Sequence, residues 1–228
     1  MSKYYDSKKA IDLKYYFEPG LITVSEIVIN SLVKARIEKG EGTSKSKVIF
    51  KITNKIKEID PDESAVITSH YDLVKYFRND VESTPLPEFP KQGSDITSAM
   101  TPTGHLESEK ITSHLHFSSF LPPGPVRLYD TWEGLTKVDD PPTEIEVTYT
   151  LEDIEEDPAY GPVAKISYHS IRKEIVDERG AIHEVFSFGS HHFALDGYLV
   201  KADMNTICNT KSPDADLVSE VNIQFKLL

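Results

Sequence analysis

The chain has 228 residues, 39% hydrophobic content, one cysteine and a formal net charge of −12, so it can bury a globular core but has no internal disulfide and no cysteine-based zinc site. Residues 1–90 carry 14 Lys and Arg against 14 Asp and Glu, whereas residues 91–228 carry 11 against 23. An acidic half repels phosphate backbones and no apolar run reaches the length of a membrane helix, which excludes nucleic acid and a membrane span from the expected partners.

The first predicted elements lie before residue 38. Residues 1–9 contain no apolar signal segment, so we expect a cytoplasmic protein, or a periplasmic one if a signal peptide has been trimmed. An apolar-rich run at 11–17 ends in Glu-Pro-Gly at 18–20, a strong turn signal. Residues 21–37 fit both a helical stripe and strand alternation, and their β-branched content favours a strand.

A long hairpin motif occurs twice. Residues 47–69 and residues 144–170 each contain a β-rich run, an acidic turn with a proline, and Ala-x-Ile followed by Thr or Ser at the start of another run. Alternation of apolar and polar residues on both sides of such turns is typical of antiparallel strands. The repeat therefore predicts an antiparallel sheet with two related halves.

The two copies are separated by a segment with a different composition. Residues 84–104 contain four prolines and two glycines, and each proline removes a donor from a strand ladder. We therefore divide the chain into an N-terminal β half (1–83), a linker or crossing loop (84–104) and an acidic C-terminal β half (105–228). The predicted fold class is all-β with at most minor helix, as a curved antiparallel sheet or incomplete β-barrel.

Two motifs resemble a known group of proteins. Residues 15–20 read Tyr-Tyr-Phe-Glu-Pro-Gly, and residues 121–132 read Leu-Pro-Pro-Gly-Pro-Val-Arg-Leu-Tyr-Asp-Thr-Trp. They resemble the Tyr-x-Phe-x-Pro-Gly and Leu-Pro-x-x-Pro-Val-x-x-Gly-Asp-Thr-Trp motifs of uncharacterised bacterial envelope proteins with a fold like that of the lipoprotein-localisation factors. Tyr129 stands where that group usually has glycine. The resemblance implies an incomplete barrel around a hydrophobic interior that holds apolar ligands or partners, and none of its motifs is catalytic.

Histidines form the sharpest candidate for a metal site. His114 and His116 lie on a predicted strand, where a spacing of two residues places both imidazoles on one face. With a third ligand such as His191, they can hold Zn²⁺ and activate a bound water. Solvated histidines on the polar face of a strand are the competing interpretation.

Aromatic residues form the candidate ligand site. Trp132, Tyr129, Phe117 and Phe120 can line an apolar pocket on the face around which the strands curve. The same rings can instead fill a packed core, as aromatic residues in sheets usually do.

Motifs for covalent or phosphate chemistry are absent from the sequence, which has no Gly-x-Ser-x-Gly elbow, Walker loop or dinucleotide-binding glycine motif. We therefore favour a non-catalytic binding or scaffolding module, without a cofactor, whose curved sheet holds an apolar small molecule or a protein partner. A His-ligated, metal-dependent hydrolase and a structural subunit of a larger assembly are the alternatives. Exposed strand edges would also suit a homo-oligomer formed by strand addition.

Overall fold

The computed structural model describes residues 9–37, 40–87, 89–107, 121–139, 142–171, 173–177, 180–212 and 215–228. Across these ranges the chain forms strands and turns without a helix, so the predicted all-β class is confirmed. The described residues contain no helical segment with the length and hydrophobicity that a bilayer crossing requires. The strands are β1 (Ile22–Ile37), β2 (Gly40–Ile59), β3 (Ala65–Arg78), β4 (Val81–Ser83), β5 (Asp95–Met100), β6 (Leu106–Glu107), β7 (Thr131–Asp139), β8 (Pro142–Asp157), β9 (Gly161–Ser170), β10 (Lys173–Val176), β11 (Ile182–Ala194), β12 (Tyr198–Lys211) and β13 (Ala215–Leu227).

These strands form one antiparallel sheet. Its order is β6-β5-β3-β2-β1-β13-β12-β11-β9-β8-β7, with β4 added to β3 and β10 added to β11. Since β6 and β7 end this order and do not pair with each other, the described part of the sheet is open. Its strands are bent by register shifts in three antiparallel pairs, β2–β3, β8–β9 and β11–β12, because a β-bulge kinks a strand and increases its twist. The result is a curved, open sheet.

The ambiguous segment near the N-terminus is a strand. β1 pairs with β2 on one side and with β13 on the other, so its β-branched residues lie in the middle of the sheet, where they pack well. The β1–β13 pairing joins the strands of the N-terminal half to those of the C-terminal half. Within the predicted linker, 84–104, lies β5, which pairs with β3.

Both copies of the repeated motif form hairpins, β2–β3 and β8–β9. In the first turn the amide of Ser64 donates to the carboxylate of Asp62 over 3.1 Å, and Glu63 has a φ of 68°. In the second turn the Asp157 carboxylate accepts hydrogen bonds from the amides of Ala159 and Tyr160 at 2.8 and 3.1 Å. One acidic residue in each turn therefore satisfies turn amides.

The sheet has an inner, apolar face and an outer, more polar face. Residues directly opposite each other on neighbouring strands share a face, and the register aligns Ile27 with Phe50 and Phe225, and Phe50 with Val74. These side chains belong to the inner face, which carries the core. On the outer face the next residue of β1, Val28, is aligned with Gln224 of β13 and Ile49 of β2, so this face mixes polar and apolar side chains.

Residues 9–20, the N-terminal segment, cross the inner face in extended form. The amide of Ile11 donates to the carbonyl of Val126, and the amide of Gly20 donates to the carbonyl of Ile56, at 2.7 and 2.9 Å. Its odd-numbered residues from Ile11 to Phe17 turn toward the sheet, and Leu13 is only 1% exposed. The segment thereby closes one side of the core that the sheet alone leaves open.

Candidate functional site

A cavity of about 200 Å³ lies between the inner face of the sheet and the N-terminal segment. Most of its wall is apolar, and the strands that contribute to it are β1, β2, β3, β5, β12 and β13. Its lining residues are Tyr15, Tyr16, Phe17, Leu21, Thr23, Ser25, Ile27, Ile52, Asn54, Ile56, Ile67, Ser69, Tyr71, Ile96, Ser98, Met100, Gly104, Gly197, Tyr198, Leu199, Phe225 and Leu227.

Aromatic rings from the N-terminal segment form one wall of the cavity. The rings of Tyr15 and Phe17 stack with centroids 5.8 Å apart and an interplanar angle of 2°. Tyr15 also meets Phe193 edge to face at 5.0 Å, and its amide donates to the carbonyl of Pro102 over 2.7 Å. Burial raises the pKa of the Tyr15 phenol well above its ordinary value, so this wall stays uncharged.

The sheet supplies the opposite wall. Ile27, Ile52 and Tyr71 come from three neighbouring strands, and all three side chains are buried. The ring of Tyr71 packs edge to face against Phe50, with centroids 5.9 Å apart. Burial raises the pKa of Tyr71 as well. Both walls therefore present neutral, largely apolar surface.

A short polar row crosses this apolar wall. The register places Thr23, Asn54 and Ser69 side by side on β1, β2 and β3, and the Ser69 hydroxyl donates to Asn54 Oδ1 over 2.7 Å. Ser25 and Ser98 add buried hydroxyls, 2% and 7% exposed. Uncharged donors and acceptors in an apolar wall can orient a ligand through one polar group.

The cavity opens to solvent beside the turn that follows the N-terminal segment. Tyr16 and Leu21 line the cavity, yet they are 49% and 40% exposed. Large side chains that line a cavity and also contact water mark its entrance. A ligand entering there would meet apolar surface first.

The predicted aromatic set is divided among different environments. Trp132 is buried and stacks on Tyr149 with centroids 5.8 Å apart, in a core cluster that also contains Leu13, and it is not among the residues that line the cavity. Tyr129 is 71% exposed and has a φ of 71°, in a turn before β7. Phe117 and Phe120 lie outside the described residues.

His191 of the predicted metal set is buried in the same aromatic cluster. Its ring stacks on Tyr168 with centroids 5.2 Å apart and lies 6.3 Å from Tyr149. Burial lowers its pKa to about 3, so the imidazole is neutral in the folded protein. His114 and His116 lie outside the described residues, and within the described ranges no group of three or more His, Cys, Asp or Glu is placed to hold a metal.

The apolar-rich run at 11–17 is the sequence signal for one part of this site. Apolar residues occupy every second position from Ile11 to Phe17, which indicates an extended segment with one buried face. The polar row has no such signal, because Thr23, Asn54 and Ser69 are brought together only by the register of three strands.

No family model matches the chain, and no curated protein matches it. Among solved structures, one titled "Lipid-protein interactions in lipovitellin" aligns with a TM-score of 0.47 and 12% sequence identity over 93% of this chain. The aligned region is 25% of that chain, so this protein spans about a quarter of its length.

Proposed function

We propose that this chain is a non-catalytic binding module that holds an apolar small molecule in the cavity between its inner face and its N-terminal segment. The observation that carries the proposal is the lining of that cavity, which combines apolar side chains with a few oriented, uncharged polar groups. This is the usual composition of small-molecule sites in proteins. The resemblance of residues 15–20 and 121–132 to the lipoprotein-localisation-factor-like proteins supports the same function.

The size of the cavity suggests what kind of molecule fits. Pockets for drug-sized ligands usually measure roughly 300–1,000 Å³, and this cavity measures about 200 Å³. A single hydrocarbon chain or a small ring system therefore suits it better than a two-chain lipid. The polar row at Asn54 and Ser69 would accept the polar end of such a molecule, while the isoleucines and aromatic rings enclose the rest.

The uncharged wall also affects the choice of ligand. Among the residues that the structure describes, no lysine, arginine, aspartate or glutamate lines the cavity, and the buried phenols of Tyr15 and Tyr71 have raised pKa values. An ionised group placed there would lose hydration without a charged partner. The expected ligand is therefore neutral, or carries its charge at the entrance near Tyr16.

The experiment measures binding of N-phenyl-1-naphthylamine by fluorescence and of decanoic acid by displacement of that dye. Thr23→Phe places a ring inside the cavity, since Thr23 lies on the inner face of β1. Val24→Phe is the matched control, because the neighbouring residue points to the outer face. We expect the wild type and Val24→Phe to bind the dye and Thr23→Phe to bind about tenfold more weakly or worse.

Two results would overturn the proposal. One is a wild-type protein that binds neither the dye nor decanoic acid at millimolar concentration. The other is equal binding by both variants, which would place the dye outside the cavity. Thermal unfolding of both variants verifies that each keeps the fold.

A further inference from the structure

A second concave site lies on the outer face of the sheet, on the opposite side from the apolar cavity. It is a groove of about 580 Å³ that crosses β3, β2, β1, β13, β12 and β11. It lies along the C-terminal half of β1, whereas the apolar cavity lies along the N-terminal half. The two sites share no residue, so the groove has its own chemistry.

Three asparagines on three neighbouring strands form the centre of the groove. The register places Asn30 of β1 opposite Asn222 of β13, and Asn222 opposite Asn205 of β12. Asn222 Nδ2 donates to Asn205 Oδ1 at 2.9 Å and to Asp203 Oδ1 at 2.8 Å, and Asn205 Nδ2 donates to the same Asp203 oxygen at 3.2 Å. These bonds fix the orientation of the amides before any ligand arrives.

The row keeps hydrogen-bonding capacity for a ligand. A carboxamide has two N–H donors and an oxygen with two lone pairs, and Asn30 contacts Asn222 with one N–H only, at 3.5 Å. Asp203 accepts both of its bonds through one carboxylate oxygen. Asn30 and Asp203 therefore keep donor and acceptor capacity that a ligand can use.

Aromatic rings stand at both ends of the same row. Beyond Asn30 the register continues to Lys47 and then to Phe77, and beyond Asn205 it continues to Phe188. Phe188 is 38% exposed, and its ring lies 5.4 Å from that of Phe186. A row of amides bounded by phenyl rings offers both hydrogen bonds and apolar contact along one line.

The groove carries little net charge although the chain is strongly acidic. Lys45 and Lys47 line it together with Asp80 and Glu220, and Asp203 adds one carboxylate beside the asparagines. These five side chains have a formal charge of −1, while that of the chain is −12. Nucleic acid needs a positive surface, and an apolar chain would leave the amides desolvated without partners. The low net charge favours a neutral, polar ligand.

We propose that this groove binds a neutral oligosaccharide across the strands. Vicinal hydroxyl groups donate and accept at once, as carboxamides do, and the C–H faces of a sugar ring pack on phenyl rings. The side chains of the row recur at the strand spacing of roughly 4.7–4.9 Å, which is close to the length of one sugar ring. Groups on the same side of an extended peptide recur at roughly 6.6–6.8 Å, so a peptide matches the row poorly.

The test titrates the ¹⁵N-labelled chain with cellohexaose, maltohexaose, laminarihexaose and chitohexaose, and follows the side-chain amide signals of the three asparagines. We expect saturable shifts with at least one of these sugars. Asn205→Leu should weaken that binding about tenfold or more. Asn209→Leu is the matched control, since Asn209 lies on the same strand and the same face but outside the groove, and should change binding less than about twofold.

Phe188→Ala is a second variant that removes no hydrogen bond of the row, and we expect it to weaken the same binding. Absence of a saturable shift with all four sugars would overturn the proposal. Equal losses in Asn205→Leu and Asn209→Leu would also overturn it, because the sugar would then bind elsewhere. Binding of an unstructured peptide or a short RNA to the groove, without any of the sugars, would assign it to another class of ligand.

Discussion

The backbone amide of Tyr16 donates to the carbonyl of Gly197 across 3.2 Å, and Tyr16 occupies the space that a side chain at position 197 would need. A Cβ built on Gly197 would lie 2.6 Å from the Tyr16 nitrogen, which is too close for any real contact. The β11–β12 turn and the N-terminal segment therefore fit together only because residue 197 is a glycine.

Gly197→Ala should destabilise the protein by about 2–4 kcal/mol, because the new methyl group forces the N-terminal segment away and the backbone φ of +94° strains any other residue. Urea denaturation measures the loss. Gly161→Ala is the control, because Gly161 has a φ of +67° but nothing within 4 Å of the added Cβ. We therefore expect this variant to lose about 1 kcal/mol of stability. Equal losses in the two variants would show that the close approach to Tyr16 is unimportant.

Gly189→Ala tests a second close approach, inside the sheet. A Cβ there would press against the carbonyl of Asp203 and lie 2.9 Å from Tyr168 Cε1, so strands β11 and β12 would have to separate. We expect a loss of about 2–4 kcal/mol in denaturation. Gly42→Ala, in an exposed strand position with nothing within 4 Å, should be neutral or slightly stabilising. An unchanged free energy of unfolding in Gly189→Ala would contradict this packing.

His191 should make stability depend on pH. Burial lowers its pKa to about 3 in the folded protein, whereas an unfolded histidine titrates near pH 6.5. Between these values the unfolded chain binds a proton that the folded chain does not, so stability falls as the pH falls through this range. Above pH 6.5 the imidazole is neutral in both states and contributes no slope.

The measurement compares the free energy of unfolding at pH 7 and pH 4.5. His191→Phe should lose about 2 kcal/mol less than the wild type between these two values. His169→Phe, at an exposed position on β9, should keep the wild-type dependence. If His191→Phe and the wild type respond to pH alike, the imidazole is not buried as the structure places it.

Leu13→Ala tests how firmly the N-terminal segment belongs to the core. Leu13 is 1% exposed and packs in the cluster that contains Trp132 and Phe193, so truncation should cost about 2–5 kcal/mol. Asp12→Ala, at an exposed neighbour whose contact with Lys14 is solvent accessible, should stay within about 0.5 kcal/mol. A small loss of stability in Leu13→Ala would mean that the N-terminal segment contributes little to the core.

The alternating pattern of the sequence was enough to predict the fold class. The long hairpins at 47–69 and 144–170 are present, with their acidic turns at the ends of strands, since apolar alternation and turn residues are local signals. The ambiguous segment 21–37 is a strand because its β-branched residues lie between two partner strands. Local preference and tertiary packing agree at these positions.

The candidate site was harder to predict, because its residues are far apart in the sequence. No local sequence pattern indicates that they meet in the fold. Ser69 reaches Asn54 across a hairpin, and Thr23 joins them from a strand that precedes both. Trp132 looked like a pocket residue, but stacking on Tyr149 places it in a packed cluster. Tyr129 lies in a turn with a positive φ and faces solvent. Register and turn geometry, which emerge only in the folded sheet, decided each of these positions.

The position of β13 between β1 and β12 sets the order in which the sheet can be completed. Ser25 pairs with Leu227, and Lys201 pairs with Lys226, so residues 215–227 supply a partner to strands from both ends of the chain. Until residues 215–227 have emerged from the ribosome, β1 and β12 each have an unpaired edge. A strand of another chain can pair with such an edge. Completion then depends on contacts between residues about two hundred positions apart, which fold slowly. Newly synthesised chains of this protein would therefore stay open to pairing with one another for longer than their strand content suggests.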